Sequence, residues 1–167
     1  MRTKIAEHVG LSWEEICEDP RFHDLSYKIE TNARGQIVMS PTTQYHGALQ
    51  SEIAGMLREM LPGQVVTESA IATSDGQKVA DVAWYSADRW AQVRDAFDAP
   101  IAPEIAVEVY SPGNTDEELA RKRALYFDAG ADEVWICDED GMLTFYDDGG
   151  TIESSHRAPS FPCQIEI

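Results

Sequence analysis

The sequence predicts an α/β fold, a central mixed β-sheet flanked by helices, and three observations carry that expectation. Strand-like runs with period-two character are mixed along the chain with three or four runs whose apolar residues recur every three or four positions. The chain has no internal repeat, no low-complexity segment and no long linker. Its 167 residues suit one domain of ordinary size, which buries roughly two-thirds of its unfolded surface. Residues 1–167 are therefore expected to form a single domain, with 1–24 as a helical N-terminal extension.

Each element has a local reason. LSWEEICEDPRF (11–22) reads as a short helix on the outside of the core, capped by Ser12, with Glu14 and Glu15 in its first turn and Pro20 closing it. SYKIE (26–30) and GQIVMS (35–40) form a hairpin around Asn32 and Gly35, ended by Pro41. Between Thr43 and Leu61 the period changes: Leu49, Ile53, Met56, Leu57 and Met60 mark an amphipathic helix stopped by Pro62-Gly63. QVVTES (64–69) is a strand, SDG (74–76) a turn, KVADVAWYS (78–86) a strand and ADRWAQVRDAF (87–97) a helix. EIAVEVY (104–110) is the clearest strand, broken by Ser111-Pro112-Gly113. Thr115 or Asn114 then caps the helix DEELARKRALYFDAG (116–130). DEVWICDE (132–139) and MLTFYD (142–147) pair across the Asp140-Gly141 turn, and GTIESSH and QIEI are candidate edge strands.

Composition excludes several classes. Thirteen Lys+Arg against 30 Asp+Glu leave a net charge of −17. A chain this acidic lacks the broad basic face needed to coat nucleic acid or to sit on an anionic membrane. With 43% apolar residues and four Trp it is no disordered tail. Cys17, Cys137 and Cys163 are odd in number and widely spaced, which suggests free thiols in a reducing compartment. No secretory leader and no membrane span is expected, so the cytoplasm is the expected location.

Two acids stand out because they interrupt apolar strands. Asp81 lies within Val79-Ala80-Asp81-Val82-Ala83-Trp84, and Glu108 within Ile105-Ala106-Val107-Glu108-Val109-Tyr110. Strand parity puts Glu104, Ala106, Glu108 and Tyr110 on one face and Ile105, Val107 and Val109 on the other. Buried carboxylates must be paired, hydrogen-bonded or bound to a cation, and neither run carries a lysine or arginine. A divalent metal is one good partner; a solvated or backbone-bonded acid is the bland alternative. Arg121-Lys122-Arg123 is the one cluster of three positive charges. Lys122 shares a helix face with Tyr126, at the edge between core and solvent. Lys122 could reach the two carboxylates or merely balance the acids at the helix start.

Taken in order, these motifs resemble the Uma2 family of endonucleases, which has the restriction-endonuclease-like PD-(D/E)XK fold. The likeness runs from about Leu25 to Tyr146. It is carried by MSP (39–41), ADVAW (80–84), PEIAVEVYSPGNT (103–115) and KRALYFDAGADEVWICDEDG (122–141). It implies a DNA endonuclease in which Asp81 and Glu108 hold Mg2+ or Mn2+, the backbone carbonyl of Val109 is a third ligand, and a metal-activated water cleaves the phosphodiester. Ala80 replaces the usual proline before the first acid. Tyr110 stands where the lysine is expected, and Lys122 fits the place to which the family moves it. Glu30, His46 and Gln50 match positions near the site in this fold, and Tyr126 joins them as an accessory candidate. His46 shares an edge with Leu49 and Ile53, as a core histidine would. Ser111 and Asn114 could lie beside the metal or serve as helix caps.

The charge sets the competing reading. A nuclease must approach a polyanion, so binding is expected to be weak or transient, guided by Arg121, Lys122, Arg123, Arg89 and Arg94. The alternative is a nuclease-fold interaction protein of a mobile-element or defence system, or a DNA mimic. A hydrolase of small phosphate esters is a third possibility. Likeness to other nucleases of this fold suggests a homodimer.

Overall fold

The strand-like runs fold into two sheets, which the computed structural model describes over residues 4–6 and 10–167. β1 (Lys4–Ala6), β2 (Tyr27–Thr31) and β3 (Ile37–Pro41) make a small antiparallel sheet with β3 in the middle. The central sheet runs β4 (Gln64–Thr73), β5 (Gly76–Tyr85), β6 (Ile105–Val109), β7 (Glu133–Cys137), β8 (Leu143–Asp147), β9 (Gly150–Ile152) in spatial order. It is mixed, as expected: β6 and β7 are parallel and the other pairs antiparallel. The parallel pair is joined by a crossover through α4 (Asp116–Asp128).

Helices cover both faces. α2 (Gln44–Met60) buries Leu49, Ile53, Ala54 and Leu57 against Val82, Trp84, Ile105, Val107 and Trp135. α3 (Ala87–Val93) and α4 cover the opposite face, where Val93 and Tyr126 meet Ala83, Tyr85, Ala106 and Val134. The parity read from the sequence for β6 holds: Ile105, Val107 and Val109 face α2, and Ala106 faces α4. Each large apolar side chain buried in this way contributes about 1.5–3 kcal/mol. No helix among the described residues is long and apolar enough to cross a membrane.

Several boundaries differ from the sequence reading, for physical reasons. The expected helix over 11–22 is α1 (Trp13–Glu18), closed at both ends of its capping box by Ser12 and Glu15; a 3-10 turn follows at Pro20–Phe22, where proline cannot continue the ladder. Residues 1–3 and 7–9 of the expected 1–24 extension lie outside the described residues. β4 extends past residue 69 to Thr73, because Ser69 and Ile71 keep the inward alternation up to the tight turn before Gly76. α3 stops at Val93 instead of continuing to 97. The chain turns back there so that Ala99 can bond the edge of β4 through Ala70 and Ala72 (2.8 and 2.9 Å). QIEI forms no strand and makes one isolated bridge, Met142 to Gln164.

Candidate active site

β5 and β6 pair from Trp84↔Ile105 to Val82↔Val107, and there the ladder ends. The next residues on the two strands are Asp81 and Glu108. The acids singled out in the sequence therefore stand across from each other at a fork in the sheet. The parting strands leave the Val109 N–H without a strand partner on this side, and the Asp81 Oδ2 accepts it at 2.7 Å. Both acids are buried, Asp81 at 1% and Glu108 at 3% exposure.

The other side of the fork is supplied by the small sheet. Lys28 and Glu30 lie two residues apart on β2 and so point the same way. The hairpin is pinned to the start of β5: the Thr31 hydroxyl donates to Gln77 Oε1 (2.6 Å), Gln77 N donates back to Thr31 Oγ1 (2.8 Å), and Lys78 Nζ donates to the Thr31 carbonyl (2.7 Å). Gly76 makes this approach possible. It has φ +78°, and a Cβ there would lie 2.7–2.8 Å from Thr31.

Four side chains thus lock the two carboxylates, and Glu30 holds one of the four, Lys122. Lys28 Nζ donates to Asp81 Oδ1 at 2.8 Å and to Glu108 Oε2 at 3.4 Å. His46 Nε2 faces Asp81 Oδ2 at 3.3 Å. Lys122 Nζ lies 2.8 Å from Glu108 Oε1 and donates to Glu30 Oε1 at 2.7 Å. The Tyr126 hydroxyl donates to Glu108 Oε1 at 2.6 Å, and Glu30 Oε1 also accepts the Val79 N–H at 2.8 Å. The electrostatics follow. Burial alone would push the Asp81 carboxyl up, but the Lys28 ammonium and His46 hold it well below the usual carboxylate range. Burial would likewise lower Lys28, yet Asp81 and then Glu108 hold its ammonium well above its usual value. Glu30 is kept low against its burial by Lys122 and Lys28, and His46 is raised against its own burial by Asp81. Burial and Glu108 push the Tyr126 hydroxyl far up, so it stays a donor.

The fork opens on a cavity of about 470 Å3 between the β2–β3 hairpin and α4. Arg34, Arg121, Ser111, Asn114 and Val109 line it with the acids. Of the accessory candidates, Glu30, His46 and Tyr126 gather at the acids. Gln50 does not; it donates to Glu68 Oε1 at 2.8 Å. Glu68 is held at φ +54° in β4, across from Asp81 and between the ladder pairs Thr67↔Val82 and Ser69↔Ala80. Ser111 and Asn114 bond each other (Ser111 Oγ to Asn114 Oδ1, 2.8 Å), and the helix cap is Thr115. The expected basic stripe does not form. Arg123 stacks on Tyr146 at 3.9 Å, Arg89 donates to the carbonyls of Ala102 and Gly130 (both 2.9 Å), and Arg94 pairs with the exposed Asp95. The cavity's cations are instead Lys28, Arg34, Lys78, Arg121 and Lys122. Lys28, Arg34 and Lys78 were missed in the sequence.

The donor set fits a hard divalent cation. Each carboxylate spends one oxygen on the framework and turns the other, Asp81 Oδ1 or Glu108 Oε2, toward a single position that already attracts a positive charge. No group of three or more His, Cys, Asp or Glu side chains is placed to hold a metal among the described residues. Two carboxylates would therefore have to be completed by backbone, water or substrate oxygens. Burial alone does not mark such a site. Glu133, equally buried, is consumed by Trp135 Nε1 and by the backbone N–H groups of His156 and Arg157 (all 2.9 Å).

The architecture has a solved counterpart. The crystal structure of a nuclease from Anabaena variabilis, described as putative and as belonging to DUF820, superposes with a TM-score of 0.69. The match covers 85% of this chain and 83% of that one at 17% identity, which shows the shared fold. No curated protein matches the chain. The model of the Uma2 family, described as "Putative restriction endonuclease", matches residues 13–157, and the chain belongs to that family.

Proposed function

We propose that this protein is a divalent-metal-dependent endonuclease that hydrolyses DNA phosphodiester bonds. The observation that carries the reading is the fork. Two buried acids on neighbouring strands each aim one oxygen at the same cation position, where the Lys28 ammonium sits, with Lys122 beside Glu108. Family membership and the likeness to a nuclease structure support it. Asp81 and Glu108 would hold Mg2+ or Mn2+, with the Val109 carbonyl as a further oxygen ligand. When bound, such an ion supplies an activated water and neutralises charge on the phosphate. The chain's own residues set the geometry. His46 and the Val109 N–H fix the Asp81 carboxylate, and Tyr126 and Lys122 fix that of Glu108; Lys122 would also offer its ammonium to a non-bridging phosphate oxygen. Arg34 and Arg121 on the cavity wall would steer one strand. With a net charge of −17 elsewhere opposing it, DNA binding would be weak and salt-sensitive. A cytoplasmic homodimer completes the proposal.

The test uses supercoiled and single-stranded DNA with Mg2+, Mn2+ or EDTA. Cleavage is expected only with metal and should vanish in both Asp81→Ala and Glu108→Ala. Cleavage that survives both substitutions contradicts the site. The same acidity favours a second reading, a catalytically weak nuclease-fold interaction protein or DNA mimic. Absence of cleavage under any metal, together with tight binding of a protein partner, would support that reading instead.

A further inference from the structure

The cation position at the fork is already taken. Asp81 Oδ2 is bound to the Val109 N–H and faces His46, while Glu108 Oε1 is bound to Tyr126 and Lys122. That leaves Asp81 Oδ1 and Glu108 Oε2 as the oxygens free to bind a metal together, and both are on the Lys28 ammonium, at 2.8 and 3.4 Å. A divalent ion and an ammonium compete for the single position between these two oxygens, because they repel each other at contact distance in a poorly solvated site. Lys28 is suited to leave. Its charge sits at the end of a four-carbon stem, and that stem comes from the small sheet, not from the strands that carry the acids.

We propose that Lys28 is the resident cation of this site: it holds Asp81 and Glu108 together in the metal-free protein, and metal binding must displace its ammonium. The inference rests on the metal-dependent reading above and adds a built-in competitor to it. Lys28 then lowers metal affinity while protecting two buried carboxylates from mutual repulsion. Once displaced, its ammonium is released into the same cavity that would receive the phosphate.

Calorimetric titration of the full chain with MnCl2 tests this. Wild type is compared with Lys28→Met, Lys28→Gln, Lys28→Arg and Asp81→Asn. The neutral variants are expected to bind Mn2+ about tenfold or more tightly than wild type, since the competing charge is gone. Lys28→Arg should bind no tighter than wild type, and Asp81→Asn should lose binding. The melting temperature of Lys28→Met should also rise more on adding Mn2+ than that of wild type. If Lys28→Met does not fold without metal, refolding on Mn2+ addition supports the proposal, and Lys28→Gln, which keeps a hydrogen-bond donor, supplies the affinity comparison. Wild type binding Mn2+ as tightly as the neutral variants would overturn the role of Lys28 and leave the metal site standing. Absence of binding in every protein, the neutral variants included, would overturn both.

Discussion

At the residue scale, the site is a balance of buried charges, and that balance sets its response to pH. Unfolded, the Asp81 carboxyl titrates at about 3.9. Folded, it lies well below that because Lys28 and His46 outweigh its burial. Its contribution to stability is therefore complete above the unfolded value and is lost as pH falls toward the folded one. Glu30 behaves in the same sense, through Lys122. His46 works oppositely: its raised value stabilises the fold at low pH, and that contribution fades as pH rises through the folded value. Denaturant unfolding in EDTA should show stability dropping between about pH 4 and pH 2, with a shallower drop in Asp81→Asn. An equal slope in the variant would mean that Asp81 is not held by the ions seen here. Asp81 and Glu108 were legible in the sequence because each breaks an apolar strand without a cation nearby, and Tyr126 because helical spacing ties it to Lys122. Lys28 was not, since its partners lie 53 and 80 positions away. The available hint was Lys28-x-Glu30, two opposite charges on one strand face. Three adjacent cations on a helix looked like a stripe, but successive residues point about 100° apart, so Arg121, Lys122 and Arg123 reach Asp75, Glu30 and Tyr146 in turn.

At the element scale, the site depends on docking one sheet against another. The central sheet supplies the acids and the small sheet supplies Lys28 and Glu30, and the Thr31–Gly76 contact fixes the distance between them. Gly76→Ala should force that contact apart and strain a left-handed turn. A loss of about 1–3 kcal/mol in unfolding free energy is expected. Faster hydrogen exchange in Tyr27–Thr31 should accompany it, while Ile105–Val109 stays protected. Unchanged exchange in both strands would show that the hairpin docks by other means. The sequence revealed the strands from β2 onward through alternation and turn residues, but not β1, which lies in the stretch read as a helical extension. It could not reveal that the first hairpin leaves the central sheet, because alternation fixes which face is buried and not which strand is the neighbour.

At the scale of the whole molecule, the −17 charge and the nuclease family membership pull in different directions. The structure narrows the conflict. Positive groups are drawn into the cavity, where Lys28, Lys78 and Lys122 are committed to carboxylates and carbonyls. Little basic surface is left to grip a long duplex, so catalysis would rest on the fork and its cation rather than on an extended binding face. On the proposed function, Asp81 and Glu108 would hold one shared metal ion, and that can be counted directly. Electron paramagnetic resonance of Mn2+ at saturating metal should show one bound ion per chain, lost in Asp81→Asn and equally in Glu108→Gln. Bound Mn2+ that persists in both variants, or none in the wild-type protein, would contradict it.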